Sequence, residues 1–341
     1  MIPRSADWKN ALAAAVRDPA ELVALLGLSR ELLPAARRAA ERFPLRVPRG
    51  YVARMRPGDP NDPLLRQVLP VEAEMAAAAG YSEDPLEEAA ASAAPGVLHK
   101  YDGRVLLVAT GACAVHCRYC FRRHFPYGED NPAADDWQAA LDYLHTRSDV
   151  HEVILSGGDP LLLDDRRLAD LVERLAAVPH LRRLRIHSRL PVLLPERVDE
   201  ALLAWLAATP LQVVWVVHSN HPNELDAAVG QALGRVRQTG ATLLNQAVLL
   251  RGVNDDAPTQ RALSERLLDH GVLPYYLHLL DRVRGAAHFE VPEAEAVALR
   301  ERLRQELPGY MVPRLVREQP GEPGKTEVAG DSAWAHPATH I

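Results

Sequence analysis

RVLLVATGACAVHCRYC, residues 104–120, joins a short apolar run to a loop that holds every cysteine of the chain: Cys113, Cys117 and Cys120. Three thiols cannot close two disulfides, and they fall one short of an all-cysteine zinc site. Thiolates are soft ligands that suit zinc or iron–sulfur clusters. A zinc site would need a fourth ligand from His116 or His124. An iron–sulfur cluster would use the missing ligand as an open coordination position for a substrate or cofactor.

The apolar run before the loop is the first of a series. HEVILSG (151–157), LRRLRIHS (181–188), LQVVWVVHS (211–219), ATLLNQAVLL (241–250) and LPYYLHLLD (273–281) follow it. Helical periodicity separates them, in DWQAALDYLHT, RRLADLVERLAA, ERVDEALLAWLAA, NELDAAVGQALGRVRQ and TQRALSERLLDH, with PEAEAVALRERLRQEL after the sixth. Six strand-then-helix units predict parallel strands joined by right-handed crossovers. An open doubly wound sheet and a curved partial barrel both satisfy that pattern. Ser156, His187, His218, Gln246 and Asp281 fall at or near the C-terminal ends of different strands, the rim where barrels build sites. The expectation is an α/β fold, a partial (β/α)6 barrel over residues 96–290. A helical cap segment over 1–95 precedes it. A C-terminal helix, a seventh strand VPRLVRE (312–318) and the glycine-rich PGEPGK fill 291–341.

Composition sets outer bounds. The 341 residues are 48% apolar with a net charge of −6, so global charge gives no sign of nucleic-acid binding. No run approaches a membrane span, and MIPRSADWKN lacks the apolar core of a signal peptide. Clustered, unpaired cysteines predict a reducing compartment, the cytoplasm.

Cys-x3-Cys-x2-Cys with Tyr119 before the last cysteine resembles the signature of the radical S-adenosylmethionine enzymes. That resemblance implies a [4Fe–4S] cluster on Cys113, Cys117 and Cys120, whose fourth iron chelates S-adenosylmethionine. Reductive cleavage would then give a 5′-deoxyadenosyl radical. SGGDP (156–160) resembles the family's glycine motif for the methionine amino group. The resemblance extends to the lysine 2,3-aminomutase family through CRYCFRRHFPYGE, HSRLPVLLPERV, YYLHLLDRVRGAAHF and PGKT. LRVPRGYVARM, DPLLRQVLP, DPLEE and PGVLHKY are similar to the branch that supplies β-lysine for elongation factor P.

This resemblance implies conversion of L-α-lysine to (R)-β-lysine, with pyridoxal 5′-phosphate carrying the nitrogen as an external aldimine. It makes Lys325 the pyridoxal lysine and Arg104 a pyridoxal phosphate contact. Arg122 becomes the arginine for the substrate carboxylate, and Asp281 and Glu318 the acids for its distal ammonium. S-adenosylmethionine would touch Tyr119, Ser156, Gly157, Gly158, Asp159, His218 and Gln246. Glu318 stands where the catabolic aminomutases carry Asp. An electron donor such as flavodoxin or ferredoxin and an elongation factor P lysyl ligase are the implied partners. The alternatives are an aminomutase for another amino acid, such as glutamate, and a zinc-stabilised module without catalysis.

Overall fold

The computed structural model describes residues 5–126 and 137–329. The MIPR start and the YGE end of FPYGE lie outside them. One ten-stranded sheet carries the fold, with strands in consecutive order: β1 (Ser92–Ala94), β2 (Val97–Tyr101), β3 (Arg104–Thr110), β4 (Glu152–Gly157), β5 (Arg183–Ser188), β6 (Gln212–Val217), β7 (Thr242–Val248), β8 (Leu273–His278), β9 (Arg314–Arg317) and β10 (Thr326–Glu327). Neighbours from β3 to β9 run parallel, whereas β1–β2, β2–β3 and β9–β10 pair antiparallel.

That order decides between the two architectures the sequence allows. A doubly wound sheet reverses its strand order at a switch point and so covers both faces with helices. Here the order never reverses, so crossovers of one hand put every connecting helix on the same face. The sheet coils into a partial barrel, and its inner face remains for a site.

The crossover helices are set by simple local chemistry. Asp164, Asp199, Asp226 and Asp256 each cap one, accepting from Arg167, Leu202, Val229 and Thr259 backbone N–H groups. Each such cap contributes about 1 kcal/mol. Helix Asp165–Ala176 then buries Leu168, Leu171, Val172 and Leu175, the i, i+3, i+4, i+7 stripe of an amphipathic helix. Strand β4 is buried along its whole length, as an apolar strand inside a parallel sheet requires.

N-terminal helices Ser5–Ala13, Pro19–Leu25 and Leu33–Arg42 precede the sheet, and short turns of helix, Arg49–Val52 and Pro63–Arg66, follow them. They share one hydrophobic core with the barrel, running from Val16 to Val328. Among the described residues no helix is long and apolar enough to cross a membrane.

The antiparallel hairpin β2–β3 was not expected. Tyr101 pairs with Arg104 across the two-residue turn Asp102–Gly103, with Gly103 at φ +73°. Asp-Gly is a strong hairpin signal, and it stood in the sequence unread.

Candidate active site

A cavity of about 630 Å³ opens on the inner face at the C-terminal ends of the strands. Cys113, Cys117 and Cys120, on the loop after β3, form part of its wall as half-buried free thiols. Backbone contacts fix this loop. His116 N–H donates to Arg46 O at 2.9 Å, and Arg118 N–H to Gln67 O at 2.9 Å. The Arg118 side chain, fully buried, turns away and forks onto Glu74 at 2.8 and 2.5 Å. Arg123 reaches the same acid at 2.8 Å.

The donor set discriminates between metals. His116 and His124 point their ring nitrogens at the carbonyls of Pro44 and Arg284. Among the described residues no three His, Cys, Asp or Glu side chains converge on a single ion. Three thiols lining one cavity fit a multi-iron cluster held at three of its corners. Burial and mutual repulsion raise the thiols of Cys113 and Cys120, the latter to about 11, and a nearby positive charge favours their thiolate forms. Arg189 already supplies one cation, its Nη1 lying 2.8 Å from Cys117 Sγ.

SGGDP laces β4 to the cysteine loop. Gly158 N–H donates to Thr110 O at 2.7 Å, and Asp159 N–H to Ala112 O at 2.8 Å. Gly157 sits at φ +118°, and a Cβ on either glycine would run into backbone, Thr110 O for the first and Ala112 O for the second. The glycines are therefore needed for close approach. Asp159 accepts from Ser188 Oγ at 2.8 Å and from the backbone N–H groups of Leu161, Arg189 and Leu190. Burial nevertheless lifts its carboxyl to about 6. Its oxygens tie β4 to the end of β5. Tyr119 also works inside the protein, its hydroxyl accepting from Asn220 Nδ2 at 2.7 Å.

From Arg122, two residues beyond Cys120, the charges alternate in a chain. Arg122 forks onto Glu88 at 2.7 and 2.8 Å and donates to Ser156 Oγ at 3.1 Å. Glu88 lies 3.1 Å from Lys100, Lys100 lies 3.0 Å from Glu318, and Glu318 lies 2.8 Å from Lys325. Burial alone would raise Glu318, but Lys325 and Lys100 outweigh it and hold the carboxyl well below the ordinary range. Asp281 has the reverse fate. Burial and the charge of Glu318 push it up to about 7. Asp281 lies three residues beyond β8 and Glu318 one beyond β9.

Lys325 sits over the Tyr276 ring at 5.8 Å, just before β10. Gly324 beside it comes close to Arg104, which packs on Tyr101 at 4.4 Å. Gln246 and His218 line the same cavity. His218 Nε2 meets His187 Nδ1 at 3.3 Å. Burial keeps both rings neutral, with His218 lowered to about 3. Thus the three cysteines and the residues assigned to S-adenosylmethionine, pyridoxal phosphate and substrate all line one cavity, whereas His124 does not. Sequence reading missed Glu88, Lys100 and Arg189 as parts of the site. Glu88 and Lys100 lie in DPLEE and PGVLHKY, and the Asp102–Gly103 turn was the signal that Lys100 folds back toward β3.

The Radical SAM superfamily model matches residues 107–258. The L-lysine 2,3-aminomutase of Escherichia coli (strain K12) is 51% identical over 325 residues, 95% of either chain. That of Haemophilus influenzae is 47% identical, covering 96% of both, and that of Clostridium subterminale 36% identical, covering 94% of this chain and 77% of the relative. Shared over nearly the whole length, and not only across the cysteine loop, this likeness makes the chain a member of the lysine 2,3-aminomutase family of radical SAM proteins.

Proposed function

We propose that this protein is a lysine 2,3-aminomutase that moves the α-amino group of L-lysine to the β-carbon, giving (R)-β-lysine. The observation that carries the reading is the shared cavity. The three cysteines, a lysine in a glycine-flanked turn and a pair of carboxylates face the same space. The relatives' activity as L-lysine 2,3-aminomutases supports the same substrate.

Cys113, Cys117 and Cys120 hold the [4Fe–4S] cluster, and Lys325 holds pyridoxal 5′-phosphate, with Arg104 beside it. When bound, the cluster and S-adenosylmethionine supply a hydrogen-abstracting carbon radical, and pyridoxal phosphate carries the migrating nitrogen. The chain's own residues do the rest. Arg122 binds the substrate carboxylate as a planar fork. Asp281 and Glu318 take the distal ammonium, and its arrival stabilises Asp281 in the charged form that burial disfavours. An acidic distal group would meet two carboxylates there, which argues against glutamate. Tyr119, Ser156, Gly157, Gly158, Asp159, His218 and Gln246 shape the S-adenosylmethionine pocket, several of them by fixing its backbone. The neutral rings of His187 and His218 add no competing charge.

The electron comes from a small carrier protein such as flavodoxin or ferredoxin. The product serves a ligase that modifies elongation factor P, and three unpaired thiols suit the cytoplasm. Anaerobically reconstituted protein with a reductant, S-adenosylmethionine and L-lysine is the test. β-Lysine of the (R) configuration supports the reading, and absence of β-lysine with a full cluster and bound cofactor overturns it.

A further inference from the structure

Glu88 is 3% exposed, yet it belongs to no strand of the barrel. It starts a single turn of 3-10 helix, and the preceding Glu87 sits at φ +50°. Left-handed backbone at a bulky residue costs about 1 kcal/mol or more and persists where the surroundings enforce it. Asp84 enforces it, accepting from the N–H groups of Glu88 at 3.0 Å and Ala89 at 3.2 Å. This strained turn delivers a carboxylate to two cations. Oε2 accepts from Arg122 Nε at 2.7 Å, and Oε1 from Nη2 at 2.8 Å. Lys100 Nζ lies 3.1 Å from Oε1. Burial alone would raise this carboxyl, but Arg122 and Lys100 hold it below the ordinary value.

We propose that Glu88 is the positioning residue of the carboxylate site: its two-point grip fixes the plane of the Arg122 guanidinium, and its charge competes with the incoming substrate carboxylate for that arginine. The inference rests on the function proposed above. It has two opposed consequences. Glu88 costs ground-state affinity, because a substrate carboxylate must share Arg122 with it. Glu88 also sets orientation, since a reacting centre misplaced by about 1 Å loses on the order of 10²-fold in rate. Through Lys100 the same acid is linked to Glu318, which holds Lys325.

Glu88→Gln keeps the shape and removes the charge. In the reconstituted holoenzyme it is expected to lower kcat at least tenfold while KM for L-lysine stays level or falls. The rise in thermal unfolding midpoint on adding L-lysine should persist or grow. Glu88→Asp keeps the charge one methylene short and should lose less kcat. If Glu88→Gln does not fold, the Asp variant decides by the same split. A raised KM with kcat held, or kinetics equal to wild type, overturns the inference. An inactive wild type would sink the function proposal itself, whereas an active wild type with an unaffected Glu88→Gln sinks only the role of Glu88.

Discussion

Lys325 donates its ammonium to Glu318 Oε2 at 2.8 Å, while Lys100 takes Oε1 at 3.0 Å. The acid that suits a substrate's distal ammonium is thus occupied by two of the protein's own amines. It stays ionised in a half-buried place without a ligand, and an incoming ammonium can replace one cation by another.

Glu318→Gln should therefore strip the distal subsite of a charge while leaving the fold intact. Truncating one partner of a buried charge pair costs about 2 kcal/mol or more, and about 1.4 kcal/mol is tenfold in affinity. We expect KM for L-lysine to rise at least tenfold in the anaerobic assay. An unchanged KM would show that Glu318 serves only the protein's own amines, Lys100 and Lys325.

Asp281 sets a pH dependence. Burial and Glu318 raise its carboxyl to about 7, so in the unliganded site it takes up a proton as pH falls through that value. Only the ionised form attracts an ammonium. The ratio kcat/KM for L-lysine should decline as pH drops below about 7, approaching tenfold per unit. Asp281→Asn should give low activity without that limb. A wild-type profile flat between about pH 6 and 8 would be incompatible with this role.

Gly158→Ala tests the close approach of β4 and the cysteine loop. A Cβ there meets the Ala112 carbonyl, which is backbone and cannot swing aside. Overpacking of this kind costs about 1–3 kcal/mol, and the loop is the element displaced. Urea unfolding should show the loss of stability. Iron bound per chain after reconstitution should fall with it. Full iron content with wild-type stability would contradict the packing argument.

Glu74→Ala removes the one acid that serves both Arg118 and Arg123 behind the loop. Breaking a buried pair by deleting one partner costs about 3–5 kcal/mol, because the other charge stays buried alone. Calorimetry or denaturant titration of the cofactor-free protein should show a loss of that size. A change below about 1 kcal/mol would mean that water reaches these arginines.

Much of the architecture was legible in residue periodicity. Strands β3 to β9 lie inside the runs named from the sequence, because the face each turns to the helices must be apolar, as in the alternating burial of β5, whose other face carries Arg185 and His187 to the cavity. The three-residue β1 and two-residue β10 are too short for any period to register. Closed or reversed strand order was not legible, because both orders use the same units. At the site, cysteine spacing and strand-end polarity pointed to residues that share one cavity. They could not reveal that Arg122 already holds a carboxylate, since Glu88 lies 34 residues away in a segment of irregular turns. Nor could they tell that Gly157 and Gly158 are demanded by carbonyls at the end of β3 and in the loop after it.

The sheet's two margins end in antiparallel hairpins, and among the described residues no backbone ladder joins them. Lys100 lies on β2, second from one margin, and Glu318 follows β9, second from the other. Their ion pair at 3.0 Å spans the gap of the unclosed barrel like a clasp. A seam of backbone hydrogen bonds is fixed in register, but a clasp of charge can be undone and refastened around a guest. The two ends of this sheet are thus joined by side-chain charge, in the same chain of ion pairs that lines the site.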